Sequence, residues 1–322
     1  MADVDVRTVR TRLSAEALER APQFLPPMDL AGGAFRNAAL GALAVHGWCL
    51  YRARIASVEA FEAVVLGLGL PMTARYGDLP SRGDRCGVFE TTPYPPSEDI
   101  LFHNEASHTP RAPRHIFFAC LRIAREGGET PLSDGRLALS LLAPEIRRPL
   151  MEKGLTYIRN FIPGLDVSWQ QFFGTEDRGE VERICAEQGI KARWRGDAGL
   201  ETRHRTPAVA VHPVWGELLF HQIALHHPAF LDPDVRSFFE EMAGPDGTPR
   251  TVRFGTGEPI PDDWAHAIYR AHLDAGTVFP WAPGDILMLD NRRFAHGRMA
   301  FAGERENYVM LGELLPQSML WS

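Results

Sequence analysis

Short apolar segments separated by turns rich in glycine and proline run through most of the chain. Strand candidates lie at 47–52, 115–123, 155–161, 207–212, 218–223 and 307–315, and a further one ends at Asp290. The 29 glycines and 25 prolines are high numbers for a helical bundle and point to many turns. The pattern predicts a mainly β fold, a sandwich or jelly-roll barrel, that carries helical insertions.

Helical segments interrupt this strand pattern. They are expected at about 7–20, from Ser57 to about Leu68, at 135–153 and at 262–275. Asp134 is placed to cap its helix, and Pro144 fits a first-turn position. The charged residues of about 165–200 indicate a helical insertion, and about 74–101 indicates a long loop of the kind that covers active sites. No repeat or linker divides the chain, so we expect one domain, 1–322.

Composition excludes several classes of protein. The net charge of −7, with no strongly basic segment, argues against a nucleic-acid binder. No apolar run approaches the length that spans a membrane, and the first residues lack the apolar core of a secretory signal. We therefore expect a soluble, cytoplasmic protein. The four scattered cysteines are then expected to be buried free thiols: Cys49, Cys86, Cys120 and Cys185.

A His-x-Glu pair, His103 and Glu105, together with the distant His296, has the composition of a metal site. Two histidines and one carboxylate can hold Fe(II) on one face of an octahedron and leave positions open for co-substrates. The spacing alone is weak evidence, because a chain with 12 histidines and 41 acidic residues contains such pairs by chance. The second pair, His272 and Asp274, falls in a predicted helix, where side chains two residues apart diverge.

From spacing alone, two alternatives remain open. The three residues could be polar groups satisfied within loops, and other histidines could take the ligand role. The rival ligands are His108, His226 and His227. The position of His296 just beyond the end of an apolar strand supports its inclusion.

Four segments together carry a resemblance to a known family. They are 92–96, 102–109, 127–134, and 287–291 with 296–298. In these segments the chain resembles the taurine dioxygenase (TauD/TfdA) family of Fe(II)/2-oxoglutarate oxygenases, and most of all the subgroup that contains the syringomycin-pathway aspartyl hydroxylase. The resemblance runs from about residue 30 to the C-terminus and is weakest over 165–200.

The resemblance implies a fold and a metal centre. The fold is a double-stranded β-helix, the jelly roll of clavaminate synthase-like proteins, with helical insertions. The implied iron ligands are His103, Glu105 and His296. Much of the family has aspartate where this chain has Glu105, but the subgroup also uses glutamate. Related halogenases lack this carboxylate, so its presence speaks against halogenation.

The resemblance also implies a site for 2-oxoglutarate, with O₂ as the second co-substrate. The distal carboxylate of 2-oxoglutarate needs a fixed guanidinium and a hydroxyl group. Arg305 matches the family arginine and Thr130 the hydroxyl. In the taurine enzyme type the arginine lies slightly further along, where this chain has Asn307, so Arg298 is the fallback.

Substrate recognition is the least constrained part of the sequence. Candidates for substrate binding are Arg75, Arg82, Arg85, Gln222 and His226, with a solvated loop face or core hydrogen bonding as alternatives. The resemblance favours hydroxylation of an amino acid, free or on a carrier protein, in natural-product biosynthesis. Desaturation, epoxidation or cyclisation would use the same cofactors, and a non-catalytic barrel that binds metal or a small acid is the remote alternative. Length does not determine the oligomeric state.

Overall fold

The computed structural model describes residues 8–30, 33–74, 87–90, 94–162, 167–196, 199–244 and 246–321. Its helices are α1 (Ala15–Glu19), α2 (Ala34–His46), α3 (Val58–Leu66), α4 (Gly135–Leu141), α5 (Pro144–Lys153), α6 (Trp169–Phe173), α7 (Arg178–Glu187), α8 (Ile223–His226), α9 (Pro233–Ala243), α10 (Asp262–Asp274) and α11 (Gln317–Leu320), with a 3₁₀ turn at Pro228–Phe230.

The strands of the described residues are short. They are β1 (Thr11–Arg12), β2 (Phe24–Leu25), β3 (Trp48–Tyr51), β4 (Val88–Glu90), β5 (Ile100–His103), β6 (Arg111–Pro113), β7 (His115–Arg122), β8 (Glu126–Gly127), β9 (Leu132–Asp134), β10 (Leu155–Phe161), β11 (Lys191–Arg195), β12 (Gly199–Thr206), β13 (Val209–His212), β14 (Gly216–Leu219), β15 (Arg250–Phe254), β16 (Gly276–Val278), β17 (Asp285–Asp290), β18 (Phe294–Arg298), β19 (Phe301–Ala302), β20 (Glu306–Leu311) and β21 (Leu314–Pro316).

A six-stranded sheet, in the order β2-β3-β17-β7-β20-β4, is buried on both faces. Because successive side chains of a strand point to opposite faces, the all-apolar centre of β17 serves two cores. Ile286 and Met288 pack with helices α2 and α3 on the outer face. Leu287 and Leu289 point the other way, into the interior of the barrel. This double burial explains why the strand is a continuous apolar run.

A five-stranded sheet, in the order β1-β16-β9-β18-β5, closes the other side of this interior. Leu132 of β9 and Phe294 of β18 pack in the same apolar cluster as Leu50 and Leu287 of the six-stranded sheet. Two facing sheets around one apolar interior, with helices outside, form the predicted jelly roll, and the fold class is confirmed. The register of the five-stranded sheet sets His296 directly opposite His103.

A four-stranded sheet, in the order β11-β12-β10-β15, adds a second layer beside the barrel. It packs against α5 and α10 through an apolar cluster that includes Leu150, Tyr157, Val252 and Ile268. The segment predicted as a helical insertion contains α6 and α7, but it also contributes β11 to this sheet. Within β11, exposed residues alternate with the half-buried Ala192 and Trp194, which is a strand pattern that the density of charges obscures.

Predicted helix ends agree well with the structure where a side chain caps the helix. The Ser57 hydroxyl accepts a hydrogen bond from the backbone N–H of Ala60 at 3.3 Å, and the Asp134 carboxylate accepts one from Arg136 at 2.9 Å. Such caps contribute about 1 kcal/mol each. The prediction at about 7–20 was wrong in extent: among residues 8–20 the α-helix covers Ala15–Glu19, and Thr11–Arg12 form β1 instead.

Two further expectations need correction. The strand predicted at 218–223 ends at Leu219, and Ile223 begins α8 instead. The long loop predicted at about 74–101 includes β4, which pairs with β20, and the start of β5. Arg75, Arg82 and Arg85 of this loop lie outside the described residues, as does Cys86.

Other expectations concern the thiols and the membrane. Cys49, Cys120 and Cys185 are buried and unpaired by disulfides, as predicted. Among the described residues, no helix combines the length and apolar character that crossing a membrane requires.

Candidate metal centre

The two histidines of the candidate site are cross-strand neighbours. His103 ends β5 and His296 lies in the middle of β18, opposite to it in the antiparallel register. The centres of their imidazole rings are 4.3 Å apart, and both residues are buried. Directly opposed residues on one sheet face bring their side chains together, so strand pairing itself brings these two imidazoles together.

The carboxylate comes from the turn that follows β5. Oε2 of Glu105 lies 3.8 Å from Nε2 of His103 and 3.9 Å from Nε2 of His296. The potential ligand atoms of the three residues all lie within 4.8 Å of one another. Two imidazole nitrogens and one carboxylate oxygen, without a thiolate, suit a non-haem Fe(II) site that keeps open positions. The residues present therefore fit the metal that the sequence predicts.

The protonation states also favour metal binding. Nδ1 of His103 lies 2.8 Å from the backbone carbonyl of Leu101, which accepts its proton and leaves the Nε2 lone pair for a metal. Burial and, to a smaller extent, the nearby His103 lower the pKa of His296 to about 3, with Glu105 opposing the shift. His296 is therefore neutral at physiological pH, as a ligand must be.

A small cavity, here called the metal cavity, opens beside the triad. In addition to the triad and Gly297, its lining residues are Ile100, Phe118, Thr130, Arg298, Arg305 and Val309. Phe118 packs its ring 5.2 Å from that of His296. The structure thus brings Thr130 and both candidate arginines to the same cavity as the three candidate ligands.

Arg305 is held so that its guanidinium remains available to the metal cavity. Its Nε donates to the backbone carbonyl of Gly128 at 3.0 Å. A Cβ on residue 128 would lie 3.0 Å from Cδ of Arg305, and Gly128 has a φ of +79°, so glycine serves both the turn and the close approach. With its amide oriented to satisfy its neighbours, Asn307 accepts from the same guanidinium at 3.2 Å.

The charge of Arg305 survives its burial. Desolvation lowers the pKa of Arg305 to about 10, which leaves the guanidinium protonated at physiological pH. A desolvated guanidinium that lines the metal cavity fits the distal carboxylate of 2-oxoglutarate.

Arg298, the fallback for this role, is committed elsewhere. Its guanidinium donates to the backbone carbonyls of Tyr94 at 3.2 Å, Pro95 at 2.7 Å and Glu98 at 2.8 Å. These bonds tie the segment before β5 to the strand that carries His296. The contacts favour Arg305 over Arg298 as the carboxylate partner, although both remain predictions.

The rival histidines do not belong to the triad's group of potential ligand atoms. The rings of His108 and His226 are 5.0 Å apart at a second cavity, and His227 contacts the carbonyl of Ile260 at 2.9 Å. His272, of the rejected pair, lies in α10 and contacts Ser133 and His221. Among the described residues, only His103, Glu105 and His296 form a group with metal-binding spacing.

Gln222 contacts the backbone between two of the candidate ligands. Its side-chain amide donates to the backbone carbonyl of Asn104 at 3.0 Å, and the residue is buried. This contact is the hydrogen-bonding alternative that the sequence left open for Gln222, whereas His226 lines the second cavity. The role of both residues toward a substrate remains a prediction.

Sequence reasoning missed two asparagines beside the triad. Asn104 and Asn291 are fully buried, and Asn291 bonds to the backbone of Glu105. The signal in the sequence was weak. Asn104 lies between two candidate ligands, and Asn291 directly follows an apolar strand, where asparagine is an ordinary turn residue.

The fold and the site together define the class of protein. It is a non-haem iron oxygenase that uses 2-oxoglutarate as co-substrate. The chain belongs to the taurine catabolism dioxygenase TauD, TfdA family, whose sequence model matches residues 25–312.

Individual relatives agree with this membership. The chain is 39% identical over 226 residues to the dapdiamide synthesis protein DdaC of Enterobacter agglomerans. The matched region covers 70% of this chain and 69% of DdaC. It is 28% identical over 263 residues to a clavaminate synthase-like protein of Arabidopsis thaliana, covering 76% and 74% of the two chains. The crystal structure of a taurine dioxygenase from Burkholderia xenovorans shares the fold, with a TM-score of 0.51 at 15% identity over 90% of this chain and 86% of that one.

Proposed function

We propose that this oxygenase hydroxylates an unactivated C–H bond of an amino acid, free or attached to a carrier protein, in natural-product biosynthesis. The observation that carries the proposal is a second, larger cavity that begins at the turn bearing Glu105. The similarity to a protein named for dapdiamide synthesis supports the natural-product context.

This second cavity, here called the outer cavity, has a volume of about 420 Å³. Its wall includes His108, three residues after Glu105, and three residues span at most about 11 Å of chain. The cavity therefore begins close to the candidate metal centre. Its volume is within the range of small-molecule sites, roughly 300 to 1,000 Å³.

The lining of the outer cavity divides into two kinds of surface. Segment 167–196 contributes mainly apolar side chains, which are Phe172, Phe173, Ile184 and Ile190, together with Gln188. The rest of the wall contributes mainly polar ones, which include Tyr157, Arg159, Thr202 and His204 of the four-stranded sheet, Arg111 of β6 and His226 of α8. An amino acid presents the same combination, because polar amine and carboxyl groups adjoin its side chain.

His204 and His226 of the outer cavity act as neutral hydrogen-bonding groups. Burial lowers the pKa of His204 to about 4, with a smaller effect of His108. Burial also lowers the pKa of His226 well below its ordinary value. A neutral imidazole has one donor and one acceptor. Nδ1 of His226 donates to the backbone carbonyl of Gln222 at 3.1 Å, which leaves Nε2 as an acceptor for an amine or amide N–H of a substrate.

The protein's own contribution to the reaction is binding and orientation. When bound, iron and 2-oxoglutarate would supply the chemistry with O₂ as the oxidant: one oxygen atom of O₂ would end in succinate, which 2-oxoglutarate forms with loss of CO₂, and the other in the hydroxyl group of the product. His103, Glu105 and His296 would hold the metal, and Arg305 with Thr130 would bind the distal carboxylate. Phe118 and Val309 make part of the metal cavity apolar, which limits water beside the reacting groups.

The experiment that tests the proposal begins without oxygen. Fe(II) and 2-oxoglutarate are added to metal-free protein, and the weak visible absorption band of the iron–2-oxoglutarate chelate is recorded. Amino acids and carrier-bound aminoacyl groups are then screened by their effect on this band. A compound that shifts the band and gains one oxygen atom under air supports the proposal.

Other outcomes of this experiment would contradict the proposal. A product that has lost two hydrogens would indicate desaturation or cyclisation, and a product that has gained one oxygen atom but contains no new hydroxyl group would indicate epoxidation. If no amino-acid compound shifts a band that forms normally, the proposed substrate class is wrong.

Filling the outer cavity should impair substrate binding selectively. Replacing Ile190 with tryptophan is expected to raise the apparent KM for the amino-acid substrate about tenfold or more, which is equivalent to about 1.4 kcal/mol of binding free energy. The anaerobic iron–2-oxoglutarate band should persist, because the metal cavity has different lining residues. Ile123→Trp is the matched control, since Ile123 is exposed and outside both cavities. An unchanged KM in Ile190→Trp would show that the outer cavity does not bind the substrate.

A further inference from the structure

We propose that Asn291 is a positioning residue for the metal centre, which holds the backbone of Glu105 so that its carboxylate faces the two histidines before metal binds. This inference rests on the ligand role proposed for Glu105. It concerns a side chain that would touch neither the metal nor the substrate, and it acts through the turn that carries the ligand.

The contact between Asn291 and Glu105 is bidentate. Oδ1 of Asn291 accepts from the backbone N–H of Glu105 at 2.7 Å, and Nδ2 donates to the backbone carbonyl of Glu105 at 3.0 Å. Nδ2 also donates to the carbonyl of Pro113 at 2.9 Å. One amide therefore satisfies both backbone polar groups of the ligand residue. Among uncharged side chains, only an amide offers an acceptor and two donors in this arrangement.

The turn needs such a constraint because its backbone is unfavourable. Ala106, the residue after Glu105, has a φ of +57°, in the left-handed region that residues with a Cβ seldom adopt. Within the turn, backbone bonds run from Ser107 to Asn104 and from Thr109 to Ala106. Neither involves Glu105, whose backbone groups are bonded by Asn291 instead. Such a conformation persists only where its surroundings impose it.

Asn104 fixes Asn291 in return. Nδ2 of Asn104 donates to the backbone carbonyl of Asn291 at 2.8 Å, while Oδ1 of Asn104 accepts from the backbone N–H of His221 at 3.1 Å. Asn104 lies between the candidate ligands His103 and Glu105 in the chain. The two amides thus join the β5 turn to the connection between β17 and β18, the strand that carries His296.

Burial makes this connection rigid. Asn104 and Asn291 are both fully buried, so water does not compete for their hydrogen bonds. A buried polar group that loses its partner carries the whole cost of its desolvation. The backbone that carries the ligand carboxylate is therefore held in place without the ion, so binding need order only the side chain of Glu105.

A purely structural role would look different from positioning, and the chain offers a matched comparison. Asn160 is also buried, and its Nδ2 donates to the backbone carbonyls of Asp246 at 2.7 Å and Thr248 at 2.8 Å. It lies in β10 of the four-stranded sheet and contacts none of the candidate ligands. Asn160→Ala removes the same type of hydrogen bonds as Asn291→Ala.

The test compares metal affinity and stability in the full chain. Fe(II) is titrated anaerobically into metal-free wild type, Asn291→Ala, Asn160→Ala and His103→Ala, and the Tm of each metal-free protein is measured. Both asparagine variants should have a lower Tm. Only Asn291→Ala should also lose Fe(II) affinity, by about tenfold or more, the usual effect of removing a group that orients a ligand; Asn160→Ala should change it less than about twofold.

The test distinguishes failure of the positioning role of Asn291 from failure of the ligand assignment. A lowered Tm with unchanged Fe(II) affinity in Asn291→Ala would overturn the positioning role. If His103→Ala also binds Fe(II) as wild type does, the ligand assignment itself has failed. Should Asn291→Ala not fold, Asn291→Ser replaces it, because a hydroxyl on a shorter side chain cannot bond both backbone groups of Glu105. The same loss of affinity is then expected, and its absence overturns the proposal.

Discussion

Replacing His103 with alanine is expected to abolish succinate formation and the anaerobic iron–2-oxoglutarate band while leaving the fold largely intact. The variant removes one of three ligand atoms that lie within 4.8 Å of one another. A metal ion contributes several kcal/mol of transition-state stabilisation, so its loss corresponds to about a 10³-fold fall in rate or more. Succinate release under air and the visible band without oxygen measure the two losses separately.

A matched histidine provides the control for this prediction. His227 is buried like His103, was a rival ligand on spacing, and contacts the carbonyl of Ile260 instead of the triad. His227→Ala should lose stability but keep the band. Continued turnover by His103→Ala, with folding verified by circular dichroism, would show that the ligand assignment is wrong.

Replacing Arg305 with alanine is expected to raise the 2-oxoglutarate concentration needed for half-maximal turnover by about 100-fold. Truncating one partner of a buried charge pair costs roughly 2 to 5 kcal/mol, and about 2.7 kcal/mol is a factor of 100. The effect on saturated turnover should be smaller, because the ligands of the metal are unchanged. Succinate formation as a function of 2-oxoglutarate concentration measures the shift.

Arg298→Ala is the counterpart, since both arginines line the metal cavity. Arg298 already donates to three backbone carbonyls, so its loss should lower the Tm and change the 2-oxoglutarate requirement less than about threefold. The reverse result, a large shift in Arg298→Ala and none in Arg305→Ala, would transfer the carboxylate-binding role to Arg298.

Sequence reasoning succeeded where the deciding interaction is local. Ser57 and Asp134 cap the helices they were expected to cap, because a cap depends on residues two or three positions away. The apolar run of β17 was equally visible, since both of its faces are buried. The family resemblance implied His103, Glu105 and His296 as ligands, and their side chains converge in the structure, while their role as ligands stays a prediction.

The rest depends on contacts between distant parts of the chain. Ile223 extends an apolar segment that looks like a strand, yet it begins α8, and its backbone N–H donates to the side chain of His221. Asn291 is an ordinary turn residue until the fold brings it to Glu105. The difference between Arg298 and Arg305 likewise appears only when the carbonyls of Tyr94, Pro95 and Glu98 are seen around Arg298.

The opposed positions of His103 and His296 link metal binding to the closure of the barrel. Shifting β5 by one residue against β18 would turn His103 toward the opposite sheet face. Only the native pairing therefore creates a complete set of ligands, and the ion would select it over slipped alternatives. The two strands are separated in the chain by the whole four-stranded sheet. If His103 and His296 are ligands as proposed, a bound ion would act as a reversible cross-link between two strands that are far apart in the chain, and metal binding would raise the Tm of the protein as well as support its chemistry.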